Sequence, residues 1–256
     1  NGEDVTSNIQ VGCMKIMNNI RIYILEIFLL CFCLSNVMNG QKLVYLEYSE
    51  TLTFDQKRLP DAQILKGNVR FKHDDMLMFC DSAYFYDKSN SIDAFGNVRF
   101  VQGDTLHGYG DILYYNGNTR LARVRNNVRL IHRETILTTD SLNYDRMKGV
   151  AYYFGSGTIR DSINTLRSQL GFYTPSTNQA IFRKNVSLEN ASFSMSTDTL
   201  YYNTETHIAK LVSPTNILYE GETTILSSNG LYNTETEQSN LYDRSKILHQ
   251  DGKTLI

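Results

Sequence analysis

The residues with most chemistry to offer recur at fixed places along the chain. Asp81, Asp111, Asp140 and Asp198 each open a like segment, which reads Asp-x-Leu-x-Tyr after the last three and Asp-Ser-Ala-Tyr-Phe after Asp81. Carboxylates in such a column could ladder calcium. The short glycine-rich spacing of calcium-binding β-rolls is missing, so a role at the start of a strand competes with that reading. Arg70, Arg99, Arg129 and Arg160 each follow a β-branched residue, and Arg120, Arg123 and Arg125 cluster near them. A guanidinium is a planar, permanently charged fork, so a column of them could hold phosphate or an anionic sugar head group. A solvated strand face is the plain alternative. His73, His107, His132, His207 and His249 are scattered without the spacing of a ligand pair. No Ser/His/Asp order, nucleophile elbow, phosphate loop or Cys-x-x-Cys occurs. The expectation is a protein with no metal, no cofactor and no catalytic residue.

What would position these residues is a repeat. One element reads Gly67-Asn68-Val69, Gly96-Asn97-Val98, Asn126-Asn127-Val128, Gly157-Thr158-Ile159, Lys184-Asn185-Val186, Thr215-Asn216-Ile217 and Ser245-Lys246-Ile247. Its β-branched residue recurs at spacings of 29, 30, 31, 27, 31 and 30. The second element begins at Asp81, Asp111, Asp140, Ser168, Asp198 and Ser228, at spacings of 30, 29, 28, 30 and 30. Two elements keeping one period mark a repeat architecture. Polar turns such as Asn116-Gly117-Asn118-Thr119 and Asn203-Thr204-Glu205-Thr206 separate them. No stretch carries a capped helical period. Each unit is therefore strand, turn, strand, turn.

Alternation within the strands assigns faces. Val69 and Phe71, Val98 and Phe100, Val128 and Leu130, and Val186 with Leu188 share one face, with the arginines opposite. In the second element the third and fifth positions share a face. This gives Leu113 and Leu142, and the aromatic column Phe85, Tyr115, Tyr144, Phe172, Tyr202 and Tyr232. One such unit cannot bury its apolar face, but stacked units can. Seven units adding a strand to each of two facing sheets extend the stack by about 33 Å. The fold class expected is all-β: antiparallel two-strand units stacked into an elongated, open-ended curled sandwich. The inward residues could form an ordinary core or a groove whose walls part for acyl chains; both need the same side chains.

The 256 residues carry a formal charge of −2, which gives no reason to expect nucleic acid as a partner. Residues 1–40 read as a leader with a start at Met14. Lys15 and Arg21 form a basic region, and an apolar run follows from Ile22 to Leu34, interrupted by Glu26. That predicts a signal helix and export to the periplasm. A retained N-terminal anchor, and with it membrane association, is the rival. Leu30 and Phe32 precede Cys31 and Cys33, which argues against a lipoprotein. Beyond Gln41 only Cys80 remains, so the repeat domain over 41–256 can form no internal disulfide.

The paired elements resemble the OstA/LptA-like family of lipopolysaccharide-transport proteins over about residues 43–256. Gly96-Asn97-Val98 with Asp111-Ile112-Leu113-Tyr114-Tyr115 carries the likeness best, followed by Asn127-Val128 with Asp140-Ser141-Leu142-Asn143-Tyr144. The resemblance implies a β-jellyroll open at both ends that carries lipopolysaccharide across the periplasm, acyl chains inside and sugars outside. It also implies joining to other β-jellyroll domains, or to copies of itself, by edge-strand pairing. The chain stops soon after Ile247 without a capping repeat, so a longer natural protein is expected. Two other readings compete: the N-terminal periplasmic part of an outer-membrane lipopolysaccharide translocon, and a surface β-solenoid with no lipid.

Overall fold

The computed structural model describes residues 42–255 except Arg244's neighbour at position 243; the expected signal helix lies outside the described residues. Nineteen strands hydrogen-bond into one sheet. The first part runs β1 (Tyr45–Tyr48), β2 (Thr51–Asp55), β3 (Leu59–His73), β4 (Met76–Tyr86), β5 (Ser91–Gln102) and β6 (Leu106–Asn116). The middle runs β7 (Leu121–His132), β8 (Thr135–Asp145), β9 (Val150–Arg160), β10 (Thr165–Thr174), β11 (Gln179–Glu189) and β12 (Phe193–Asn203). Shorter strands finish the stack: β13 (Ile208–Leu211), β14 (Thr215–Tyr219), β15 (Thr223–Ser227), β16 (Gly230–Asn233), β17 (Ser239–Leu241), β18 (Lys246–His249) and β19 (Thr254–Leu255). Strands β2 to β12 pair in chain order, and the strands around them also pair across a neighbour, as β1 with β3, β12 with β14, β13 with β16 and β15 with β18. All pairings are antiparallel.

The repeated Gly-Asn is a corner. Gly96 and Asn97 have φ of 75° and 44°, and Asn126 and Asn127 have 59° and 52°. Two successive left-handed residues insert a double bulge into the odd-numbered strand and bend it sharply, a conformation that glycine and asparagine enter most cheaply. The partner strand bulges by one residue, and that residue is the recurrent aspartate. The Asn97 side-chain amide donates to Asp81 Oδ2 at 2.8 Å, and Asn127 donates to Asp111 Oδ2 at 2.7 Å. A Cβ on Gly96 would lie 2.5 Å from Asp81 Oδ2, so the corner has no room for a side chain there. Asp81 and Asp111 therefore brace corners in mid-strand rather than start strands. Asn97→Ala should cost about 1–2 kcal/mol, combining left-handed strain with the lost bond, whereas Asn97→Gly should cost less. Urea unfolding of the two variants checks the order.

Each long strand thus contributes a half to each of two facing layers. At both ends of the stack the corner opens into a break. Strands β1 and β2 pair with the two halves of β3, while β13 and β14 pair with the two halves of β12. Residues such as Leu65, Phe71, Val98, Phe100, Val124, Leu142, Phe182 and Leu200 fill the space between the layers in one continuous buried cluster. Each such side chain contributes about 1.5–3 kcal/mol by leaving water, and only stacking makes that burial possible.

Candidate lipid groove and its tyrosine seam

Val69, Phe71, Phe85, Val98, Phe100, Leu113, Tyr115, Val128, Leu130, Leu142, Tyr144, Val186 and Tyr202 all lie buried between the layers. Phe172 does not. It is 39% exposed on the outer face and stacks on Tyr152, with ring centroids 5.9 Å apart. The reason is the placement of one bulge. On β10 the corner residue is Gln169, not Ser168, because β10 pairs Ser168 with Gly157 and then resumes at Leu170 with Phe154. A one-residue slip exchanges the faces of everything beyond it. Tyr173 takes the inward place and restores regular spacings of 29 residues to Tyr144 and Tyr202.

A similar correction applies to the β-branched column. Pairing runs from Val128 through Thr139 to Gly157, and from Val186 through Thr197 to Thr215. Gly157 and Thr215 therefore stand where Val69 and Val98 stand in their units. Ile159 and Ile217 sit two residues deeper, level with Leu130 and Leu188.

The arginines are exposed on the outer face of this layer. Arg70, Phe79, Arg99, Tyr109 and Arg129 are successive cross-strand neighbours, so cations alternate with rings. The Arg99 guanidinium lies 4.1 Å from the Phe79 ring centre, and Arg70 pairs with Glu47 at 3.0 Å. Arg160 falls outside this row, opposite Ile136 and Thr165, and Thr158 holds the row position.

The tyrosine column forms a seam. One row crosses the sheet as Phe85, Ile92, Tyr115, Ala122, Tyr144, Ala151, Tyr173, Ala180, Tyr202, Ala209 and Tyr232. Large and small residues alternate, which lets each ring lean over an alanine. The alanines at 122, 151, 180 and 209 keep a 29-residue period that parity reasoning about apolar bulk passes over. The hydroxyls of Tyr115, Tyr144 and Tyr173 then bridge to the far layer. Tyr115 meets His73 Nδ1 at 2.5 Å, Tyr144 donates to Gln102 at 3.2 Å, and Tyr173 meets His132 Nδ1 at 2.9 Å. Tyr202 lies 3.1 Å from the Thr234 hydroxyl. The column is therefore polar at its tip and apolar along its body, and it joins the two lips of the curled sheet.

The bridge at Tyr115 is the most elaborate. The carbonyl of Lys42 accepts from His73 Nε2 at 3.0 Å, which leaves Nδ1 to accept the Tyr115 proton. Arg146 donates to the Tyr115 oxygen at 2.9 Å and pairs with Asp75 at 2.6 Å. Asp74 pairs with Lys42 and Arg120 at 3.0 and 3.2 Å. His73 is fully buried, and burial lowers its pKa from 6.5, opposed by the Asp74 carboxylate. A group held neutral by the fold adds stability above its unfolded pKa and loses it as pH falls through the lowered folded value. Stability should therefore decline below pH 6.5, by at most about 1.4 kcal/mol per pH unit for this one proton. His73→Gln should flatten that decline in thermal unfolding at pH 5 to 7.

Between the layers lies an apolar cavity, walled by Leu130, Leu137, Tyr153, Leu166, Phe182 and Leu188. Its free volume is about 40 Å³, against roughly 300–1,000 Å³ for a small-molecule site. Glycines make room for rings elsewhere: a Cβ on Gly108 would meet the Phe100 ring at 1.9 Å, and Tyr153 lies over both Gly157 and Gly171. Cys80 is buried and its thiol is pushed up to about 12 by burial, so it acts as a small apolar side chain. Among the described residues, no three of His, Cys, Asp and Glu gather as metal ligands.

Fold and site together define an elongated, open-ended β-jellyroll with an apolar interior, a polar exterior and a hydrogen-bonded lateral seam. The chain belongs to the family of OstA-like proteins, whose pattern it matches over residues 41–198, more than half its length. Among solved structures it is similar to LptH, the LptA-homologous periplasmic component of the conserved lipopolysaccharide transport device of Pseudomonas aeruginosa. That likeness has 16% identity and a TM-score of 0.40, and covers 48% of this chain and 94% of LptH. No curated protein matches the chain significantly.

Proposed function

We propose that this chain is a periplasmic conduit domain that shields the acyl chains of lipopolysaccharide on their way to the outer membrane. The observation that carries the reading is the continuous apolar interior between two layers that end in unclosed edges, in a member of the OstA-like family. The energetic need is large. Exposing a 14-carbon acyl chain to water costs roughly 11 kcal/mol at about 0.8 kcal/mol per CH₂. An interior lined by Phe71, Phe100, Leu142 and Phe182 can offset that cost along the whole stack. The role needs binding and passage rather than catalysis.

The edges suit partners. Among the described residues β1 and β2 each pair on one side only, and Tyr45 and Phe54 on them are 61% and 66% exposed. Such an edge accepts a strand from a like domain, from a second copy or from a neighbouring component of a transport bridge. The arginine and aromatic row on the outer face would meet the phosphates or anionic sugars of the head group. The same geometry would serve the periplasmic part of an outer-membrane translocon.

One observation favours a different reading. The interior cavity is small, as in a packed β-solenoid that binds no lipid. Incubation of the purified protein with lipopolysaccharide followed by size exclusion separates the two. Co-elution near one lipid per chain is expected of a conduit whose layers part, and elution of lipid-free protein at every ratio would sink it.

A further inference from the structure

The seam is not uniformly fastened. At Tyr115 it is held by a buried histidine, a buried arginine and two aspartates. At Tyr144, Gln102 also binds Asp75 at 3.1 Å and so ties this bridge to the first. At Tyr202, Asn164 and Thr234 form a buried cluster around the hydroxyl. Tyr173 has the His132 ring nitrogen at 2.9 Å and the Thr204 hydroxyl beside it, with no ion pair across the join among the described residues.

At Tyr173 the wall has space on both sides. Inside lies the apolar cavity. Outside lies a polar hollow of about 360 Å³. His132, Thr135, Asp161, Tyr173 and Thr204 line both, so they are the wall between them. The outer hollow carries Glu134, Asp161, Glu205 and Glu235 against Arg133. A polar group can stay wet there while an apolar chain attached to it reaches the interior through one layer of side chains.

We infer that the seam at His132 and Tyr173 is a side portal through which an acyl chain passes between the solvent and the interior. Tyr173 and His132 are its gating pair. The inference rests on the reading that the interior takes acyl chains, and it adds where they cross the wall. Parting the wall exchanges the Tyr173–His132 bond for bonds to water, and the cavity behind it gives the incoming chain its first apolar contact.

The test is the loading rate of a non-anionic single-chain probe, NBD-dodecylamine, on the full protein, followed by stopped-flow fluorescence. Tyr173→Phe removes the hydroxyl and keeps the ring; loading should quicken about fivefold, the equivalent of about 1 kcal/mol for one neutral hydrogen bond. His132→Leu opens the same bond from the other side and should quicken loading similarly, which covers the case where one variant misfolds. Tyr86→Phe, which removes a hydroxyl that donates to Asp93 at 3.2 Å away from both groove and seam, should leave the rate at the wild-type value. Equal acceleration by Tyr86→Phe, or wild-type rates in both portal variants, overturns the portal while leaving the conduit reading standing. A wild-type protein that takes up no probe overturns the conduit reading and the portal with it.

Discussion

Phe100→Ala should lower stability by about 3–5 kcal/mol, the largest effect expected of a single truncation in this chain. The Phe100 ring is 1% exposed at the middle of the stack, and it lies over the backbone of Gly108 on the neighbouring strand. Removing the ring leaves a void that cannot collapse, because Gly108 has no side chain to move in and β5 is hydrogen-bonded on both sides. Chemical unfolding followed by circular dichroism measures the loss. In a stack whose units contact only their neighbours, the damage should centre on the units around β5, so hydrogen exchange should quicken there before it does around β12.

The second large effect is the reciprocal change. Gly108→Ala places a Cβ 1.9 Å from a Phe100 ring carbon, a distance no structure tolerates, so either the ring or the strand must shift. Overpacking of this kind costs about 1–3 kcal/mol, sometimes more. The informative variant is the double one. If ring and glycine are complementary, Gly108→Ala combined with Phe100→Ala should be more stable than the sum of the two losses implies, by about 1–3 kcal/mol. Strict additivity would mean that the two residues do not share the space the geometry gives them.

Much of this architecture can be read from the chain. The period, the strand–turn alternation and the inward faces of Val69, Phe71, Val98, Phe100 and Leu142 follow from spacing alone, because a half-buried strand has a strict period of two. The placement of bulges does not follow, and every slip traces to one. Gly157 and Thr215 stand at positions where neighbouring units carry valine, so the nearest β-branched residue, Ile159 or Ile217, was the visible marker. Gln169 stands where other units carry aspartate, so Ser168 drew the assignment and turned Phe172 inward. Even spacing was the available signal: Gln169 restores intervals of 29 residues to Asp140 and Asp198.

The seam was legible only in part. Tyrosine at four successive units, where phenylalanine would bury as well, hints that the hydroxyls have partners. Those partners lie 41 and 42 residues away for Tyr173, Tyr115 and Tyr144, across the interior, and no local pattern connects them. The alanine column is likewise silent until its tyrosine neighbours are known. Its function is steric, since a larger residue at Ala151 or Ala180 would push the rings off the lips of the sheet.

A conduit requires acyl chains to occupy the interior. The direct measurement is site-resolved photo-crosslinking in cells that make lipopolysaccharide, with a photoreactive phenylalanine placed in turn at Phe85, Tyr115, Tyr144 and, as the outward control, Phe172. Adducts containing lipopolysaccharide are expected at the three inward positions and not at Phe172. Adducts at Phe172 alone, or none at any of the four in folded protein, would contradict the conduit.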